Sequence, residues 1–229
     1  MDTSILNSLG WEWVQLRIES EKGNTLEEQS KDAWDQARTG LKAHGLTLSN
    51  VARSRVWGRD TAGRDAVSKV RFESLQGDDR AASSSYSTVH HFQSKGLVGV
   101  DIYAVKPRAG IKKVIKEYEP KKPPICWITM GPLLVCSGNT STLDTLDAQV
   151  TTDILPRLTQ YLAEAGSSWD KVAQVSCFLH ESQKPDDMRN YFKKVVPVWP
   201  PRFEIVNYVQ GYSSPGKLVE IEVTAERKG

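Results

Sequence analysis

Two stretches decide how this chain folds: DAWDQARTGLKAHGLTLSNVARSRVWGRD, from Asp32 to Asp60, and DILPRLTQYLAEAGSSWDKVAQVSCFLHE, from Asp153 to Glu181. Each reads as an amphipathic helix, a small residue with glycine, a short loop, and a strand that starts at Val-Ala. Gly45 and Gly166 lie 121 residues apart, as do Val51 and Val172. The same spacing separates Ala104 in GVDIYAVKP from Ala225 in EIEVTAERK. One offset kept over such a span indicates an internal duplication.

Periodicity supplies the elements. Ile154, Leu155, Leu158, Tyr161, Leu162 and Ala165 recur at three- and four-residue steps and form one apolar helix face, matched more weakly by Ala33, Trp34, Ala37, Leu41 and His44. Gly45 and Gly166 stand where a helix end takes a residue tolerant of positive φ. Val51–Gly58 and Val172–Leu179 read as strands, and the polar stretches after them as second helices. Each half then ends on two strands, expected as hairpins: Tyr86–Gln93 with Leu97–Val105, and Phe203–Gln210 with Leu218–Ala225. IKKVIKEY, Ile111 to Tyr118, alternates apolar and charged residues and opens the second unit. The expected architecture is α+β, two tandem units (1–109 and 110–229), each a mixed sheet with two helices on one face.

Composition narrows the function. The 229 residues carry 30 Lys and Arg against 28 Asp and Glu, with 39% hydrophobic residues, an ordinary globular balance. No run approaches the roughly 18 apolar residues of a membrane span, and the amino terminus lacks the basic start and apolar core of a secretory signal. A cytoplasmic protein with no membrane partner is expected. Cys126, Cys136 and Cys177 have no short metal-ligand spacing and read as reduced thiols. Seven Lys or Arg crowd between Lys106 and Pro124 against Glu117 and Glu119, one short proline-rich segment and not a cationic face, so no nucleic-acid partner is expected.

The second half resembles a known family. LLVCSG (Leu133–Gly138), AEAG, VAQVSCFLHE, PPRFEIV and VEIEVTA follow the layout of the Rid/YjgF enamine/imine deaminases over about residues 111–228, and the first half looks like a degenerate copy. The resemblance implies chorismate-mutase-like units and a homo-oligomer, with a trimer favoured, whose clefts between subunits take a small-molecule carboxylate. It implies that Arg202 in PPRF grips that carboxylate and that Glu220, the first acid of VEIEV, helps water attack the imine carbon. Ser137 and Gly138 match the family's Ser-Gly turn. Two positions depart: Trp127 is the nearest aromatic where the family has a tyrosine, and Glu204 stands where deaminases commonly have cysteine. Both departures point to a different substrate.

The residues carry their own reading. Arg202 offers a planar fork for a carboxylate. Arg202 and Glu204 share a strand face, which also allows a plain ion pair. Glu220 and Glu222 share a face as well, and either meet cations or raise each other's pKa. Arg202 falls opposite Thr224 in the expected hairpin, so a working Arg202/Glu220 pair needs a neighbouring domain. Ser137 has no histidine placed to activate it. His90 and His91, adjacent on an expected strand, point to opposite faces and share no metal. His44 suits a helix end, and His180, at a strand end, is a candidate pocket residue. Aligning Val89 with Val206 sets Ser85 opposite Arg202, and the last strands set Gly99 opposite Glu220, leaving the first unit structural.

The leading expectation is a metal- and cofactor-independent hydrolase that deaminates a carboxylate-bearing enamine or imine, with Glu220 and Glu204 catalytic and Arg202, Ser137, Gly138 and Trp127 binding substrate. A non-catalytic binder of small acids is the alternative, and an endoribonuclease-like translation inhibitor ranks below it.

Overall fold

A computed structural model of the chain describes residues 1–228. The first unit runs β1 (Asp2–Ser8), β2 (Trp11–Ser20), α1 (Leu26–Ala43), β3 (Val51–Gly58), α2 (Thr61–Ser74), β4 (Ala82–Ser87) and β5 (Val98–Val105), with sheet order β1-β2-β5-β3-β4. The second runs β6 (Lys113–Lys116), β7 (Trp127–Met130), β8 (Leu133–Cys136) and the short β9 (Asn139–Thr140). Next, α3 (Leu146–Ala148) passes through a π-helical segment, Gln149–Ile154, into α4 (Leu155–Glu164). After these come β10 (Val172–His180), α5 (Pro185–Val195), β11 (Arg202–Val209) and β12 (Val219–Glu226), in sheet order β11-β10-β12-β8-β7-β6, with β9 pairing β12.

Local chemistry explains the helices. Thr25 caps α1 by accepting from the Glu28 backbone N–H at 3.2 Å, while the Glu28 carboxylate accepts from the Thr25 N–H at 3.0 Å, a capping box. Helices α1 and α4 end alike: Leu46 N–H reaches Leu41 O across Gly45 (φ +70°), and Ser167 N–H reaches Leu162 O across Gly166 (φ +76°). The duplication extends to strand register. Val51 pairs Ala104 and Val172 pairs Ala225, each followed by a bulge, and Arg55 pairs Asp101 as Ser176 pairs Glu222.

The expected terminal hairpins are not formed. β3 lies between β4 and β5, and β10 between β11 and β12, because each second helix is a crossover that carries the chain to a parallel strand at the sheet edge. The last strand then returns on the other side. Register corrects the alignment too: Arg53 pairs Ala82 as Gln174 pairs Arg202, so Ala82 and not Ser85 holds the place of Arg202, whereas Gly99 does hold that of Glu220. β7 takes the place of β1 beside β8, which leaves β6 as an added edge strand. His90 and His91 lie beyond β4 in a turn, not on a strand.

Helices cover the outer face of each sheet and bury Trp34, Leu41, Val67 and Val100 in one core, and Leu158, Leu162, Phe192 and Ile221 in the other. The inner faces pack on each other. Trp11, Trp13, Ala82 and Val105 meet Ile128, Leu133 and Val135 at one end, and Trp57 and Tyr86 meet Phe178, Val209 and Tyr212 at the other. Between these apolar ends the interface is polar.

Candidate active site

Alternation along β12 sends Ile221 and Val223 into the helix-covered core and turns Glu220, Glu222 and Thr224 toward the opposing sheet. All three are buried. Glu222 meets two guanidiniums of β3: Arg55 Nη2 at 2.6 Å and Arg53 Nε at 3.2 Å, with the Ser84 hydroxyl donating at 2.6 Å. Burial alone would push its pKa up, but Arg53 and Arg55 hold it down at about 2.

Glu220 has no such partner. Burial first, and the Glu222 charge second, raise its pKa to about 8, so it carries its proton at neutral pH. It forms part of a cavity of about 490 Å³ between the units. Gly138 makes the close approach possible, since a Cβ there would stand 1.7 Å from Glu220 Oε1 and 2.6 Å from Ser84 Oγ. The turn that carries Gly138 is pinned to β4: Gly138 N–H donates to Ser83 O at 3.1 Å and Ser83 N–H donates to Ser137 Oγ at 3.2 Å.

The first unit closes the cavity with β4 and α2. Arg71 leans from α2 and donates to Ser84 O at 2.6 Å and Ser85 Oγ at 2.9 Å. It is buried, its Nε has no hydrogen-bond partner, and no carboxylate among the described residues pairs with it. Burial lowers its pKa to about 10, against the pull of Glu220. Arg157 of α4, held by Asp153, and Lys217, which donates to Ser213 Oγ at 2.6 Å, add cations at the opposite wall. A protonated carboxyl thus faces cations with an incomplete set of anions, which suits a small acid.

The residues singled out from sequence divide. Glu220 and Gly138 line this cavity; Ser137 is buried just behind it. Arg202 does not reach it. Its side chain is largely exposed and donates to Glu204 Oε1 at 2.6 Å, while Gln174 Nε2 holds Glu204 Oε2 at 3.1 Å. The two therefore form the local ion pair that a shared strand face allows, and β10 separates them from β12. Trp127 is buried in the second core, off the cavity. His180 binds Ser182 and lines a neighbouring hollow with Tyr212. Sequence reading missed Arg71, Ser84, Arg157 and Lys217. One signal was available: Arg71 follows Val67 by four residues and so sits in the apolar stripe of α2, where a cation needs a reason.

Among the described residues no three His, Cys, Asp or Glu side chains gather to hold a metal ion, and no helix is long and apolar enough to cross a membrane.

No family model and no curated protein matches the chain. Among solved structures, a chorismatase is similar over 98% of this chain and 79% of its own, at 13% identity and a TM-score of 0.62. That likeness shows one fold spanning both units. Rv2704 of Mycobacterium tuberculosis, a member of the YjgF/YER057c/UK114 family, covers 50% of this chain and 99% of its own, at 24% identity and a TM-score of 0.45. NMB1025 of Neisseria meningitidis, a YjgF protein, covers 52% and 97%, at 20% identity and the same TM-score of 0.45.

Proposed function

We propose that this chain is a hydrolase for a small enamine or imine bearing a carboxylate, with Glu220 as the acid and Arg71, in place of Arg202, as the carboxylate grip. The observation that carries it is one cavity holding a protonated, buried carboxyl and a buried guanidinium with no carboxylate of its own. Arg71 takes the substrate carboxylate and sets the double bond beside Glu220. Glu220 gives its proton to the β-carbon of the enamine, leaving an iminium. Water attacks the iminium carbon and returns a proton to Glu220, and the carbinolamine collapses to a keto acid and ammonia. The cavity is lined by both units of one chain, so this reading needs no second copy.

A second reading keeps the same first step. Protonating a carboxylate-bearing enol ether gives an oxocarbenium ion that water converts to a keto acid and an alcohol, and chorismate contains such an ether. The whole-chain likeness of fold to a chorismatase is the observation that favours it.

Both are tested by offering the protein freshly generated imino acids and, separately, enol-ether acids, with ammonia or keto acid as readout. Glu220→Gln is expected to lower kcat by about 10²–10⁴-fold, the usual weight of a general acid. Arg71→Ala raises KM and lowers kcat/KM, and Arg202→Ala leaves both within about twofold, an exposed ion pair being worth little. Loss of turnover in Arg202→Ala with Arg71→Ala intact would reverse the assignment. Ligand binding without turnover in any variant would leave the non-catalytic acid binder.

A further inference from the structure

A second cavity of about 380 Å³, which Glu220 does not line, is bounded by β1, β2, β3 and β5 of the first unit and by β10 and β11 of the second. Its floor holds an unusual set. His91 is buried and stacks flat on Trp57, with ring centroids 3.8 Å apart and planes 7° from parallel. Burial, with Arg17 adding to it, lowers the pKa of His91 to about 3, so the imidazole is neutral. Its Nδ1 is sealed from the cavity, while its Nε2 stands 3.9 Å from Asp101 Oδ1, beyond hydrogen-bond reach, with no hydrogen-bond partner among the described residues.

Asp101 is also buried. Trp57 Nε1 donates to Oδ2 at 2.7 Å, which leaves Oδ1 facing the cavity without a donor. Phe178 and Tyr208 form the opposing wall. The charge balance differs from that of the catalytic cavity, because the cations here are already matched: Arg55 to Glu222, and Arg17 to Glu19. Each guanidinium here has its own carboxylate, although Arg17 Nε has no hydrogen-bond partner. What waits are one carboxylate oxygen and one imidazole nitrogen beside aromatic surface, and buried polar groups left in that state are costly unless something bonds them.

We propose that this cavity is a second ligand site, which takes a planar, neutral or weakly basic nitrogen heteroaromatic with N–H donors, of the aminopyrimidine type, through Asp101 Oδ1 and His91. The ring's amino N–H donates to Asp101, a ring nitrogen or second amino group meets His91 Nε2, and Tyr208 packs on the ring. The site stands on groups that the hydrolytic reading does not use.

Calorimetry with 2,4-diaminopyrimidine tests it, with the bis(dimethylamino) analogue, which lacks N–H donors, and benzoate as controls. The diamine alone is expected to bind this site. Asp101→Asn should weaken it by about tenfold or more, because Trp57 Nε1 claims the amide oxygen and turns the amide N–H₂ toward the ring's own donors, and tenfold is about 1.4 kcal/mol. His91→Phe keeps the stack on Trp57 and removes the ring nitrogens, Nε2 among them, so a smaller weakening with an unchanged fold is expected. Arg71→Ala, in the other cavity, should leave the diamine's affinity unaltered. Equal binding of the dimethylamino analogue, affinity unmoved by both Asp101→Asn and His91→Phe, or no heat from the diamine at all would overturn the proposal and leave the cavity filled by water.

Discussion

Glu220 and Glu222 are two residues apart, face the same way and are both buried, yet one is held protonated and the other ionised. The difference is what stands opposite: two guanidiniums at Glu222, and a cavity at Glu220. Carboxyl pairs pushed apart in this way divide the roles of acid and charge stabiliser. The same division sets a pH dependence of stability. The folded-state pKa of Glu220 is about 8 against an ordinary value of 4.5, so between those pH values the unfolded chain has released this proton while the folded chain keeps it. Stability from this group therefore falls as pH rises through that window. Glu220→Gln, a fixed neutral amide, should flatten the fall. Denaturant titrations at several pH values across the window check this, and parallel slopes for the variant and the natural protein would remove the assignment of a raised pKa.

At the scale of elements, the helical run of the second unit serves the cavity through Arg157 and, indirectly, through one buried side chain. Gln149, at the start of the π-helical segment, donates from Nε2 to Leu143 O at 2.6 Å and to Gly216 O at 2.7 Å, and its Oε1 accepts from Leu218 N–H at 2.9 Å. It thus fastens the β11–β12 connection that carries Lys217. Gln149→Leu would strand three backbone groups, and a loss on the order of 1–3 kcal/mol is expected, with hydrogen exchange rising first at Leu218. Unchanged protection there would show that the connection is held by other means. The helices themselves are legible in the sequence: the stripe from Ile154 to Ala165 and the glycines at 45 and 166 mark them directly. The hairpins were misread because a strand's own alternation does not name its neighbour. Only the crossover through α2 or α5 decides that the preceding helix, and not the following turn, sets the pairing.

For the whole molecule, the decisive contact is the polar centre of the inter-unit interface, where Arg53 and Arg55 of the first unit enclose Glu222 of the second and Arg53 also donates to Val223 O and Cys136 O at 3.0 Å. Removing one partner of a buried ion group leaves the others charged and unpaired. Glu222→Leu should therefore cost about 3–5 kcal/mol, and the combined change with Arg53→Met and Arg55→Met should recover most of it. Equal losses in the single and triple variants, read by denaturant unfolding, would mean that the cluster does not act as a unit. By itself the sequence determined the duplication and the helix faces. Those properties repeat at fixed spacing along the chain and depend only on near neighbours. Tertiary structure decided that Arg71 and Ser84, not Arg202, stand beside Glu220, because the docking of one sheet on the other brings together residues more than a hundred positions apart, a relation that no local spacing encodes.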